Sequence, residues 1–192
     1  MRVIAGELGG RRLKAPLGRG TRPTSDRVRE AVFAMLGDLH EARVLDLFAG
    51  TGALGIEALS RGASSAVFVE RDAGTARVLI ANLVELGIAR ELADVRRVDA
   101  LEALRDASAR QEKYDVVFID PPYARARPAS KAPAAPVAER WGPQLSAMLP
   151  VLLSPGARVV VESDRRAPIQ LAVAIERSKR YGDTQITIHR QP

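Results

Sequence analysis

Val44-Leu45-Asp46-Leu47-Phe48-Ala49-Gly50-Thr51-Gly52-Ala53-Leu54-Gly55 is the stretch that organises the rest of the chain. A short apolar run ends in an acid, passes through glycines at 50, 52 and 55, and enters a helix-like segment at about 53 to 61. Glycine tolerates the positive φ of a tight turn and lets a ligand approach the backbone, while a helix N-terminus presents unpaired amide donors. The glycine spacing is that of the dinucleotide fingerprint, and Glu70 stands twenty residues beyond Gly50, where a ribose-binding acid belongs. By spacing alone, NAD and S-adenosylmethionine both fit.

Outward from this loop, Arg43 to Leu47, Ala66 to Glu70, Asp94 to Val98, Asp115 to Ile119 and Ala157 to Glu162 read as strands. Helix-like segments at about 73 to 87, 100 to 108 and 142 to 153 alternate with them. Nearly continuous apolar strands separated by helices predict a parallel sheet covered on both faces, a doubly wound α/β domain. Arg177 to Tyr181 and Thr184 to His189, joined at Gly182-Asp183, add an antiparallel pair. That order is expected of a class I methyltransferase, Rossmann-like with a mostly parallel seven-stranded sheet, rather than of a plain dinucleotide-binding domain.

Before the sheet, Arg2 to Ala5 and Arg11 to Ala15 read as two short strands around Gly9-Gly10, closed by Pro16. Thr24, Ser25 or Asp26 can cap a helix reaching Leu36, with Val28, Val32 and Met35 on one face, broadened by Ala31, Phe33 and Leu36, and Gly37 as its stop. Residues 1–22 are thus expected to form a basic hairpin extension on a single Rossmann-like domain spanning 23–192. Residues 124–140, rich in alanine and proline, are expected to form a loop beside the site.

Asp46 separates the two cofactors. A carboxylate four residues before the first glycine would crowd a pyrophosphate, but suits the cationic methionine end of S-adenosylmethionine. Glu70 can accept from both ribose hydroxyls, and Asp99, after the third strand, can meet the adenine amino group. Phe48, Gly50, Thr51, Gly52, Gly55, Arg71 and Ala100 complete the candidate cofactor set. Each acid also has a plain structural reading: a turn former at Asp46, a helix-start acid at Glu70, an N-cap at Asp99.

The fourth strand runs into Asp120-Pro121-Pro122-Tyr123. Two prolines fix φ and remove donors, so a rigid lip with free carbonyl acceptors is expected at the carboxyl edge of the sheet. An amino group on an aromatic base is a poor nucleophile because its lone pair is delocalised into the ring. The Asp120 carboxylate and the Pro121 carbonyl could hold its two hydrogens and localise that pair, with Tyr123 stacking an extruded base. The alternative is a proline turn beside a core tyrosine.

The chain has 192 residues, no cysteine and only His40 and His189 as histidines, so no thiolate metal site or disulfide exists and no metal is expected. The start lacks a signal-peptide h-region, and no run approaches the ~18 apolar residues of a membrane span. A cytoplasmic protein is expected, and a monomer, since no exposed apolar helix stripe demands a partner. Of the net charge of +6, residues 1–30 hold eight Lys/Arg and three acids, 8 − 3 = +5, with the remainder near neutral. Arg2, Arg11, Arg12, Lys14, Arg19, Arg22 and Arg27 are candidates for contact with a polyanion, where phosphate binding is driven by counterion release. A solvated basic surface or an anionic-membrane contact would look the same in sequence.

The chain resembles the RsmD family, bacterial methyltransferases of small-subunit ribosomal RNA, in Met1 to Gly6 with Gly10 to Leu13, in Thr21 to Phe33, in Val44 to Ala63, in Phe118 to Tyr123 and in Val160 to Glu162. The glycine loop and Asp-Pro-Pro-Tyr are shared by many methyltransferases. Arg22-Pro23-Thr24-Ser25-Asp26-Arg27-Val28-Arg29-Glu30, with the basic hairpin, carries the specific likeness. The resemblance implies methyl transfer from S-adenosylmethionine, leaving S-adenosyl-L-homocysteine, to the exocyclic N2 of a guanine in 16S rRNA (guanine 966 in the family), within the small subunit or its assembly intermediate. The loop after Tyr123 is longer and richer in alanine and proline than the family pattern. Competing expectations are a DNA adenine N6 or protein glutamine N5 methyltransferase and, from another class, a non-catalytic RNA-binding assembly factor.

Overall fold

Seven strands lie in the order β3-β2-β1-β4-β5-β7-β6 in the computed structural model, which describes residues 1–15, 26–122 and 137–192. In chain order the elements are α1 (Asp26–Leu36), β1 (Arg43–Asp46), α2 (Ala53–Ser60), β2 (Ser65–Val69), α3 (Ala73–Glu85), β3 (Ala93–Arg96), α4 (Ala100–Ala109), β4 (Tyr114–Ile119), α5 (Val137–Met148), β5 (Leu153–Asp164), β6 (Ile175–Tyr181) and β7 (Thr184–Arg190). Strands β1 to β5 pair in parallel, and β7 is antiparallel to both β5 and β6. This is the expected class I architecture.

Period-two alternation distributes the strand side chains between two cores. Val44, Phe68, Val116, Phe118, Val160, Ile186 and Ile188 face a layer built by α1, α2 and α3 through Val32, Phe33, Leu36, Ile56, Leu79 and Leu83. Leu45, Leu47, Val69, Val117, Ile119, Val159 and Val161 face α4 and α5 through Ala103, Leu104, Ala107, Trp141 and Leu145. Burying each large side chain contributes about 1.5–3 kcal/mol. Both faces are covered, as a parallel sheet requires.

Four expectations are corrected. The helix expected at 142–153 begins at Val137, inside the supposed loop, and ends at Met148; a 3₁₀ turn (Pro150–Leu152) follows, and β5 already starts at Leu153. Pro143 lies within α5, where the buried stripe Trp141, Leu145 keeps the helix on the sheet. Residues 124–136 of the expected loop lie outside the described residues, as do Pro16, Thr24 and Ser25. Second, the strands of the N-terminal hairpin are shorter than expected: antiparallel pairing holds at the bridge between Arg2 and Arg12 and in the bonds from Val3 N to the Arg11 carbonyl (2.9 Å) and from Leu13 N to the Met1 carbonyl (3.1 Å), while the amides of Ile4 and Ala5 bond to Glu57 of α2 instead.

Third, Arg29, counted above in the basic N-terminal segment, is fully buried. Its guanidinium donates to the Arg2 carbonyl and to Asp26 Oδ1 (3.0 Å) and lies 4.0 Å from the buried Glu57 carboxylate, so no phosphate can reach it. Fourth, α3 does expose apolar residues one turn apart, Ile80 and Val84. Among the described residues no helix is long and apolar enough to cross a membrane, and no group of three or more His, Cys, Asp or Glu is placed to hold a metal ion.

The N-terminal arm is fastened to α2 by side chains invisible to pattern reading. Glu57, fully buried, accepts from the amides of Ile4 (2.6 Å) and Ala5 (3.0 Å) and from Arg61 Nε (2.8 Å). Ser60 donates to the Ala5 carbonyl (2.6 Å) and accepts from the Leu8 amide (3.0 Å). Gly6 has φ +83°, and a Cβ there would meet the Ser60 carbonyl oxygen at 1.7 Å. Val3 and Leu13 enter the same core as α1 to α3.

Candidate active site

The chain moves outward from β1 to β3 and then crosses to β4, so the order of strand addition reverses between the parallel strands β1 and β4, where α/β crevices bind ligands. Asp46 closes β1 and pairs in register with Phe68 of β2 and Phe118 of β4. Glu70 and Asp120 each stand two residues beyond those partners. The fold therefore brings three acids to the carboxyl ends of three adjacent strands. Asp99, after β3, stands at the start of α4.

The glycine loop is held by backbone bonds from Ala49 to Val69 (2.9 Å) and from Gly52 to Ala49 (2.7 Å). Gly50 and Gly52 take φ of 55° and 87°, a region side chains disfavour. Gly55 is needed for packing: a Cβ would lie 2.3 Å from the Phe68 ring. Its amide does not face a ligand, because it donates to Asp46 Oδ2 at 3.0 Å. Asp46 thereby serves α2 as a cap supplied from the sheet, a carboxylate at a helix N-terminus that lacks a side-chain cap of its own.

Asp46 is 2% exposed. Burial pushes its carboxyl up to about 7, the Gly55 amide opposes this, and Glu70 adds to the rise. Glu70 is also raised, chiefly by burial, although its oxygens accept from the amides of Asp72 (2.7 Å) and Gly50 (3.1 Å). Among the described residues, no cation pairs with Asp46. Two acids held at this cost in one crevice suit a ligand carrying positive charge and would repel a pyrophosphate. The donor set thus fits S-adenosylmethionine.

Asp99 caps α4 through Oδ1, which accepts from the Leu101 amide (3.1 Å), and its Oδ2 lies 3.9 Å from Arg71. The N-cap reading of Asp99 is therefore the one seen in this structure. Ala100 is buried in the first turn of α4. Thr51 offers its carbonyl to Asn82 Nδ2 at 3.0 Å. Phe48 packs edge-on against Trp141 of α5, with ring centroids 4.9 Å apart. Pro121 is buried, Pro122 exposed and Asp120 between the two, whereas Tyr123 lies outside the described residues.

Sequence reasoning missed Trp141 and Asn82. Trp141, the chain's single tryptophan, fell just outside the expected helix. Asn82 is buried in α3 and accepts from the Lys14 amide (2.8 Å) while donating to the Lys14 carbonyl (3.2 Å) and the Thr51 carbonyl. One amide side chain therefore joins the N-terminal arm to the glycine loop. A buried Asn in an otherwise apolar helix face was the available signal.

Of the basic candidates, Arg2 lies 3.7 Å from Asp26, Lys14 2.7 Å from Glu85, and Arg11 donates to the Glu85 carbonyl (2.7 Å). Arg12 and Arg27 are exposed. Arg19 and Arg22 lie outside the described residues. Exposed pairs of this kind contribute only about 0–1 kcal/mol, so they can yield to a phosphate.

A seven-stranded sheet with its last strands antiparallel, a glycine loop after β1 and acids at successive strand ends define a class I S-adenosylmethionine-dependent methyltransferase. The family profile described as "Conserved hypothetical protein 95" matches residues 1–190. The chain is 36% identical over 170 residues to "Ribosomal RNA small subunit methyltransferase D" of Haemophilus influenzae, covering 88% of this chain and 81% of that protein. It is 41% identical over 126 residues to the Escherichia coli K12 protein of the same name, covering 65% and 61%. The solved structure of a hypothetical protein from Thermus thermophilus superposes with a TM-score of 0.79 at 30% identity, covering 98% of each chain. The chain belongs to the RsmD family of rRNA methyltransferases.

Proposed function

We propose that this protein methylates the exocyclic N2 of a single guanine in 16S rRNA, guanine 966 by family resemblance, within the small ribosomal subunit or its assembly intermediate. The observation that carries the reading is Asp120-Pro121-Pro122 leaving β4 beside the crevice walled by Asp46 and Glu70. In this reading Asp46 receives the methionine ammonium, Glu70 the ribose hydroxyls, and Asp99 with Ala100 the adenine, while Gly50, Thr51 and Gly52 bring backbone close to the ligand. S-adenosylmethionine supplies, when bound, a methyl group on a positively charged sulfur and is left as S-adenosylhomocysteine.

The chain's own residues do the rest. The Asp120 carboxylate and the Pro121 carbonyl accept the two amino hydrogens of the guanine and turn the nitrogen lone pair toward the methyl carbon. As the N–C bond forms and the C–S bond breaks, one of those hydrogens leaves as a proton toward Asp120. Tyr123 stacks the extruded base, and the rigid proline lip contributes alignment, which is where most of the rate comes from. The N-terminal cations hold phosphate. Asp120→Ala is expected to abolish transfer of labelled methyl to undermethylated small subunits while S-adenosylhomocysteine still binds by calorimetry. Retained turnover would remove Asp120 from this role, and a label on adenine or on protein would overturn the substrate.

A further inference from the structure

Residues 165–190 carry six cations (Arg165, Arg166, Arg177, Lys179, Arg180 and Arg190) and two acids (Glu176 and Asp183), 6 − 2 = +4, which averaging over the near-neutral remainder of the sequence conceals. Folding concentrates five of the six. β6 is an edge strand, bonded only to β7, and six of its seven residues are exposed; Arg177 and Lys179, paired with Ile188 and Ile186, lie on one face of this open edge and Arg180, paired with Gln185, on the other. Register fixes where this strand ends. Ile119 of β4 pairs with Val161 of β5, Asp164 with Thr184 of β7, and Thr184 with Tyr181 of β6. The turn after β6 therefore lies at the same carboxyl edge as Asp120, three strand spacings across and two residues further along, about 16 Å away.

Other elements bring charge to that turn. The first turn of α1 packs there, and Arg27, Val28, Arg180, Tyr181 and Gly182 line a recess of 370 Å³. Arg165 and Arg166 both approach the one carboxylate of Asp183, at 3.6 and 3.7 Å, while the neighbouring Asp164 carboxylate accepts from the Arg166 amide (2.8 Å). Among the described residues, Arg27, Arg177, Lys179 and Arg180 have no carboxylate partner. Lysine on an edge strand commonly serves only to block edge-to-edge association. That explanation accounts for Lys179 but not for arginines converging from α1 and from the segment after β5. The N-terminal arm, tied through Asn82 to Thr51, occupies the β1 side of the same edge.

Resting on the RNA-directed reading above, we infer that Arg27, Arg165, Arg166, Arg177, Lys179 and Arg180 form a second track for the RNA phosphate backbone. RNA is then gripped on both sides of Asp120, by the arm on one and by β6 on the other. The occupant is a polyanion with regularly spaced charge, because four of the six cations have no carboxylate partner among the described residues, the other two share Asp183, and the six are spread along an exposed edge rather than gathered at the recess.

The test compares R177Q/K179Q/R180Q with a control of equal charge change on other exposed surfaces, R77Q/R90Q/R105Q, and with R177K/R180K. Binding of undermethylated small subunits is titrated at several salt concentrations, and S-adenosylhomocysteine binding reports the integrity of the fold. Each phosphate contact contributes roughly 0.7 to 0.9 to the log–log salt slope, so the β6 triple variant should lose about 2 to 3 from it. The control and the lysine variant should keep the wild-type slope, and all should bind S-adenosylhomocysteine equally. An unchanged slope in the β6 variant, or an equal loss in the control, overturns the track. A wild-type protein that transfers no methyl to RNA overturns the substrate reading itself, a result distinct from a wild type that methylates RNA with or without β6.

Discussion

Asp46→Asn should make the ligand-free protein more stable and nearly unable to bind its cofactor. The carboxyl is 2% exposed, and burial raises it from 3.8 to about 7. Between those values the folded chain holds a proton that the unfolded chain has released. Stability is therefore fully present below pH 3.8 and is lost as the pH rises to about 7. At 1.36 kcal/mol per pH unit over about 3 units, the charged side chain costs the fold on the order of 4 kcal/mol at pH 8. Asparagine keeps an oxygen for the Gly55 amide and removes the charge. Thermal unfolding of the ligand-free proteins should show the variant ahead by about 10 °C at pH 8, with the gap closing towards pH 4. Calorimetry with S-adenosylmethionine should show an affinity loss of about 100-fold or more, since a buried charge pair is broken. Wild-type affinity should itself fall as the pH drops below about 7. A variant no more stable than wild type at pH 8, with a gap that ignores pH, would refute the buried-charge argument; unchanged affinity would refute the role given to Asp46.

Asn82→Leu removes three hydrogen bonds that join Lys14 to Thr51 and should cost about 2–4 kcal/mol in urea unfolding. It should also weaken cofactor binding, and full affinity in this variant would show that the glycine loop does not depend on the arm. Gly6→Ala meets both a positive φ and the Ser60 carbonyl at 1.7 Å, so the arm should leave α2 at a cost of about 2–4 kcal/mol. Hydrogen exchange checks this directly: the amides of Ile4, Ala5 and Leu8 should lose protection, and retained protection would sink the prediction.

Much of the fold is carried by local pattern. Alternation in Val44 to Leu47 and Val116 to Ile119 shows two covered faces because side chains on a strand point to opposite sides whatever lies beyond them. The glycines at 50 and 52 and the acids at strand ends are legible for a similar reason: the φ of a turn and the end of a strand are properties of neighbouring residues. The start of helix α5 is misjudged because the alanine- and proline-rich run over 124–140 outweighs, locally, a stripe whose worth depends on the sheet beneath it.

The sequence by itself determines the sheet, its order of elements, the glycine loop and the residues of the Asp120 motif, since each follows from short-range periodicity or backbone preference. Only tertiary structure decides that Asp46 caps α2, that Arg29 is buried against Glu57, that Asn82 ties the arm to the loop, and that Arg180 of β6 and Arg27 of α1 line one recess. These depend on strand register and on contacts between residues far apart in the chain, and no window along the sequence contains both partners.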